Sequence, residues 1–252
     1  MIISKNLSDW LAYRYGEKRL EELTEPKFEK KALELNEGGQ DFIDNYGNRE
    51  FYGFIGFLDI KNFSERVKGK NPKDVANYLM PFLDGFVNIA LDLDCLIDKT
   101  IGDEIMFIIP DRDKEEYVPA NLIMGILIGA ICDFQVELGA EYPLRLGLSF
   151  GNIYLGQIGG SGYREWSVFG ESVNLAKRLM GILKDDESLG LKGAFGVLTS
   201  DEKANESFDS VLRFIAGFAS KMDNKPCLDQ PTLKGISKYR CALLMPKQSK
   251  FL

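Results

Sequence analysis

Histidine is missing altogether from the 252 residues. Every triad, zinc site or acid–base scheme that needs imidazole is thereby excluded. Cysteine is scarce. Cys95, Cys132, Cys227 and Cys241 are scattered with no Cys-x-x-Cys pair, so neither a zinc site nor a disulfide framework is indicated. Basic residues are in deficit: 31 Lys and Arg face 38 Asp and Glu, a net charge of −7. That argues against a nucleic-acid surface, which shows a basic stripe, but leaves a nucleotide open as ligand. The opening MIISKNLSDW lacks a basic-then-apolar signal pattern, and no uninterrupted apolar run reaches membrane-spanning length. The expectation is a cytoplasmic protein with no membrane segment. No repeat or low-complexity tract is present.

What the chain does have is concentrated between Phe51 and Asp111. Phe51 to Leu58 is aromatic and aliphatic almost throughout, with Gly53 and Gly56 inside it. This is the pattern of a strand buried on both faces, with glycine where another backbone comes close. Cys95 to Ile101 breaks at Gly102-Asp103-Glu104 and resumes as Ile105 to Ile109, a hairpin signal. Each apolar run thus delivers an aspartate, Asp59 or Asp103, to a turn. Two carboxylates on rigid adjacent strands are the oxygen ligands that hard cations need, although either alone would read as an ordinary turn aspartate.

In chain order, residues 1–48 form a helical leader and connecting segment, 49–246 the catalytic-size domain, and 247–252 a tail. Leu7 to Leu23 carries apolar residues at roughly helical spacing. Asn71-Pro72 opens a helix, Tyr117 to Leu138 forms a second, and Glu171 to Leu183 a third. Strands are expected at LRLGLSFGNIYLGQIG, at REWSVF and in the closing YRCALLM. The fold class is α+β: a ferredoxin-like βαββαβ core with added strands, an N-terminal helical leader and a C-terminal extension.

Three further features join the aspartates. Arg145 opens a strand, where a guanidinium can fork onto phosphate oxygens. Glycines crowd the span from 147 to 160. Asn174 and Arg178 stand four apart on one helical face, able to hold a sugar oxygen and a phosphoryl oxygen together. No activated nucleophile stands out, so the set suits metal-assisted phosphoryl chemistry rather than acyl transfer.

Together these residues resemble the class III nucleotidyl cyclases, which convert a nucleoside triphosphate to a 3′,5′-cyclic monophosphate and pyrophosphate. FLDIKNFS looks like the family's first metal motif, IDKTIGDE like its second, and WSVFGESVNLAKRL like its substrate and transition-state motif. LKGISKYRCALL resembles its closing lysine-glycine strand. The likeness runs from about Phe51 to Leu244 with all motifs in order.

The resemblance implies that Asp59, Asp103 and the Ile60 carbonyl hold two Mg²⁺ or Mn²⁺ ions. It assigns the Phe63 and Ser64 amides and Arg145 to phosphate, Asn174 to the ribose, and Arg178 to charge building on the α-phosphoryl group. It implies a homodimer with metals and Arg145 from one protomer, and Lys99, Ser167, Asn174 and Arg178 from the other. Two departures are visible. Asn62 replaces the usual glycine, so a reshaped phosphate turn is expected. Ile236 stands where a lysine is common, with Lys234 or Lys238 open as its substitute.

Lys99 and Ser167 fall at the family's two base-reading positions. Lysine only donates, so it wants a ring acceptor, which disfavours guanine. Serine cannot separate adenine from cytosine or uracil. Tyr52, if not a core residue, would shrink the pocket toward a single ring. The domain looks like the pyrimidine cyclases of the bacterial Pycsar anti-phage system, which make cUMP or cCMP for a downstream cyclic-nucleotide-binding effector. A stand-alone adenylate cyclase is the alternative. A binding module without turnover and a diguanylate-cyclase-type palm rank lower.

Overall fold

The computed structural model describes residues 44–93, 95–111, 119–139, 142–160, 163–183, 196–200, 222–226 and 240–246. Most of the leader, Lys234, Ile236, Lys238 and the tail lie outside the described residues.

Strand β1 (Arg49–Ile60) lies inside the sheet, between β3 and β4. It is buried from Gly53 to Ile60 because β-branched, aromatic and small residues fill both of its faces. After it come a single helical turn, α1 (Phe63–Arg66), and a long helix, α2 (Pro72–Asp92). Asn71 caps α2 by accepting from the Asp74 amide at 3.0 Å, and Pro72 occupies its first turn. The hairpin β2 (Leu96–Ile101) and β3 (Glu104–Pro110) follows, joined by Gly102-Asp103. Gly102 has φ 63°, the left-handed conformation a tight two-residue loop requires.

Helix α3 (Ala120–Leu138) starts three residues later than the apolar pattern suggested. By length and composition it could cross a membrane, contrary to the reading of the sequence. Its Met124, Leu127, Ile128 and Ile131 are instead fully buried in the core. Strand β4 (Leu144–Gly160) pairs with β1 along its first part and with β5 (Tyr163–Phe169) along its last. Helix α4 (Glu171–Ile182) precedes β6 (Gly196–Ser200), β7 (Met222–Pro226) and β8 (Arg240–Pro246).

The sheet order is β2-β3-β1-β4-β6-β8-β7, with β5 on β4. The first four strands are all antiparallel neighbours, which is the ferredoxin-like core expected, and β6 adds to β4 in parallel. Strand alternation splits the core in two. Phe54, Leu58, Phe107, Leu146 and Leu148 face α2 and α3. Ile55, Phe57, Met106, Ile108 and Ile153 face α4, where Ala176 and Met180 close the layer. At Gly147 the backbone of α4 comes so near that a side-chain carbon would meet the Ala176 carbonyl and Met180. Glycine there sets how deeply α4 seats on the sheet.

Candidate active site

Alternation puts Asp59 on the α4 side of β1, since Phe57 and Ile55 face that way. Its partner across β4 is Arg145. The Arg145 Nε donates to Asp59 Oδ1 at 2.5 Å and Nη2 donates to Oδ2, a fork over both oxygens. Both residues are only 5% exposed. Arg145 is therefore seated on the expected metal ligand.

Asp103 sits in the β2–β3 turn beside the end of β1. Its Oδ2 accepts from the Ile60 amide at 3.2 Å, which ties the hairpin to the strand that carries Asp59. Burial pushes the Asp103 carboxyl above the usual range, and the neighbouring Asp59 charge adds to the rise. Backbone amides, including that of Ile60, and the Arg145 charge act in the opposite sense. Two neighbouring carboxylates next to a backbone carbonyl at Ile60 form a hard-oxygen donor set suited to a divalent cation.

The turn after β1 is left-handed at its second residue. Asn62 adopts φ 60° and ψ 29°, the left-handed region in which asparagine is the best non-glycine occupant. Arg66 and Val67 donate to the Asn62 and Phe63 carbonyls, so Phe63 and Ser64 supply first-turn amides of the kind a helix start turns outward.

A second group lies elsewhere. Lys99 Nζ is 3.4 Å from Ser167 Oγ, joining β2 to β5, which are not paired strands. The register of the hairpin slips at Asp98, the one residue between the pairs Ile97–Phe107 and Lys99–Met106. This bulge turns Lys99 to the face of Met106, the α4 side. Asp98 Oδ2 lies 3.2 Å from Lys99 Nζ. Asn174 and Arg178 are exposed on the outer face of α4, four residues apart as expected.

Tyr52 does not join this group. It is 38% exposed, so it is no core tyrosine, and its ring stacks on Phe150 with centroids 6.2 Å apart. It shares the α2–α3 side with Phe54, about 23 Å along β1 from Asp59 at the usual rise.

Two residues escaped the sequence reading. Lys177 pairs with the buried Glu104 and lies 5.5 Å over the Phe57 ring. The signal was present in the motifs: Glu104 follows Asp103 directly, and Lys177 stands one turn from Asn174.

The chain was compared with known proteins. It is 28% identical over 137 residues to the terminal-differentiation-specific adenylate cyclase of Dictyostelium discoideum, covering 53% of this chain and 6% of that one. It is 26% identical over 135 residues to adenylate cyclase 1 of Rhizobium meliloti, covering 51% of this chain and 20% of the relative. The chain thus spans a minor part of either relative. In fold it resembles the adenylyl cyclase CyaB from P. aeruginosa, with TM-score 0.58 and 18% identity over 78% of this chain and 95% of that one. The family model of the adenylate and guanylate cyclase catalytic domain matches residues 54–187, just over half of the chain, and the protein belongs to that family.

Proposed function

We propose that the protein converts a nucleoside triphosphate to its 3′,5′-cyclic monophosphate and pyrophosphate at a site completed by a second copy of the chain. The observation that carries this reading is the convergence of Asp59 and Asp103 through the Ile60 amide, at the edge where the sheet meets α1. Two Mg²⁺ or Mn²⁺ ions would be held by Asp59, Asp103 and the Ile60 carbonyl; when bound they make the ribose hydroxyl more acidic and offset phosphate charge.

The chain's own groups do the remainder. The Phe63 and Ser64 amides face phosphate oxygens, helped by the fixed left-handed turn at Asn62. Asn174 holds the ribose in line for attack, and Arg178 meets the negative charge that grows on the α-phosphoryl oxygens. Lys99 and Ser167, already adjacent within one protomer, read the base. Those two and the α4 pair would serve the site whose aspartates belong to the other copy.

The base we favour is a pyrimidine, from UTP or CTP. A lysine that already faces Asp98 and Ser167 keeps one N–H for a ring acceptor, be it cytosine N3, a uracil carbonyl or adenine N1, so the preference rests on the likeness to the stand-alone pyrimidine cyclases. The cyclic product would be a messenger in anti-phage defence, read by a cyclic-nucleotide-binding effector. ATP is the second reading, favoured because the relatives above are named as adenylate cyclases.

Purified protein is incubated with Mn²⁺ and each of the four nucleoside triphosphates, and products are identified by mass spectrometry. Cyclic UMP or cyclic CMP supports the reading, and cyclic AMP selects the second one. No cyclic product from any of the four, under conditions where the protein is a dimer, removes the catalytic assignment.

A further inference from the structure

The turn after β1 cannot hold itself. Helix α1 is four residues long, and the Asn62 side chain makes no capping bond to it among the described residues. One helical turn fixes several dihedrals for very few hydrogen bonds, so in water it opens. Asn62 adds the strain of its left-handed backbone. Ser64, Glu65 and Arg66 are exposed, and Phe63 alone of the four helical residues is not. What keeps this turn in place therefore acts through the Phe63 ring.

That ring meets Tyr78, in the second turn of α2, with centroids 6.2 Å and planes 23° apart. Tyr78 in turn stacks on Tyr142 at 4.6 Å and 9°. Tyr142 is buried, and its hydroxyl donates to the Tyr78 carbonyl at 2.9 Å, so the approach to β4 holds Tyr78 by ring and by backbone at once. The next residue, Pro143, accepts from the Lys61 amide at 2.7 Å. Lys70, in the loop between α1 and α2, lies 5.2 Å over the Tyr78 ring. Tyr78 is thus where α1, α2, the loop joining them and the approach to β4 meet. These contacts are made by rings, main-chain groups and one lysine that the proposed site leaves unused.

We propose that Tyr78 is a positioning residue for the triphosphate: it seats the Phe63 ring, and through it the Phe63 and Ser64 amides, with Tyr142 as its support. The inference rests on the cyclase reading for the role of those two amides. They face phosphate oxygens before and during reaction alike, so displacing them weakens binding rather than the chemical step.

The test uses the full chain in four variants: Tyr78→Leu, Tyr78→Phe, Phe63→Leu and the double Phe63→Leu with Tyr78→Leu. Hydrogen exchange at the Arg66 and Val67 amides, which close the turn onto Asn62 and Phe63, reads its opening directly. Either leucine variant should speed that exchange about tenfold, the worth of a good aromatic pair. Affinity for inorganic tripolyphosphate with Mn²⁺, measured by calorimetry, should fall about threefold or more as the closed turn becomes a minor state. The KM for the nucleoside triphosphate used should rise by the same factor, with kcat within about threefold of the wild type. The double variant should be no worse than the larger single one, because both remove one contact. Tyr78→Phe, which keeps the ring, should stay within about threefold of the wild type throughout. Should Tyr78→Leu fail to fold, Phe63→Leu at its half-exposed position decides alone. Unchanged exchange at Arg66 and Val67, unchanged tripolyphosphate affinity, or a fall in kcat with KM unmoved would overturn the proposal, as would multiplying effects in the double variant. Exchange and tripolyphosphate binding need no turnover. A protein that follows these factors yet forms no cyclic product sinks the cyclase reading alone, and one that forms product while they stay flat sinks this inference alone.

Discussion

Lys99 Nζ and Ser167 Oγ are 3.4 Å apart although 68 positions separate the two residues in the chain. The contact exists because a bulge at Asp98 shifts the hairpin register and turns the lysine to the α4 side of the sheet. An ammonium in that position can only donate. Lys99→Glu reverses the requirement, and an acidic acceptor matches the N–H edge of guanine. Relative use of GTP should rise, while kcat/KM for the preferred base falls by about 10²-fold or more. Steady-state rates on the four triphosphates check this. An unchanged order of preference would show that the base is read elsewhere.

Asp103 makes stability depend on pH in a definite direction. Its folded carboxyl titrates above the unfolded value, through burial first and the Asp59 charge second. Between those two values the folded protein holds a proton that the unfolded chain has lost. Stability therefore declines as pH rises through that window, and at neutral pH the full cost is carried. Asp103→Asn removes the ionisation. Calorimetry between pH 4 and 8 should show a flatter dependence and a higher Tm at pH 7 than in the wild type. Mn²⁺ should raise the Tm of the wild type and leave the variant nearly unmoved, and product formation should stop. A lower Tm at pH 7 would mean that the bond from the Ile60 amide outweighs the cost of burial.

Helix α4 separates its buried residues from the pair proposed for the chemistry by face. Leu175, Ala176, Leu179 and Met180 are buried, whereas Asn174 and Arg178 are exposed. Asn174→Ala and Arg178→Ala should thus leave the unfolding free energy within about 0.5 kcal/mol of the wild type, as surface changes do. They should lower kcat by roughly 10²-fold or more, as lost transition-state donors do. A rise in KM alone would make them binding residues. Gly147→Val reports the converse. It collides with the Ala176 carbonyl and Met180, so it displaces α4 and should lower the Tm by several degrees.

Much of this was legible before any coordinates. Continuous apolar runs and the Gly102 break placed β1 and the hairpin within two residues, because buried strands and tight turns write strong local signals. Asn71-Pro72 fixed the start of α2 for the same reason. What failed was non-local or two-valued. Nothing in the sequence says that register sets Arg145 on Asp59, since pairing across β1 and β4 joins positions 86 apart. The bulge at Asp98 carries no glycine or proline to announce it. The left-handed backbone at Asn62 was not legible either, since asparagine only tolerates that conformation where glycine would announce it. The α3 start was placed early because Tyr117 and Val118 extend the apolar pattern ahead of Ala120.

Lys177 and Glu104 give the last prediction. The pair ties α4 to the first residue of β3, next to the turn that carries Asp103. Register places Glu104 one step beyond the Leu58–Ile105 pair, beside Asp59. In the proposed dimer the Asp103 turn of the hairpin serves one site and α4 the other, so this contact links the two within each protomer. Lys177 is half exposed, which limits what the ion pair contributes, although Glu104 is buried and the Phe57 ring lies under the ammonium. A double-mutant cycle with Lys177→Met and Glu104→Gln should give a coupling of about 1 kcal/mol in unfolding free energy. Each single variant should lower kcat with KM for the triphosphate unchanged, because the helix loses its alignment rather than a ligand contact. The charge-swapped pair, Lys177→Glu with Glu104→Lys, should restore part of the loss. Additive single effects with no recovery in the swap would reduce Lys177 to a surface residue that happens to lie near the site.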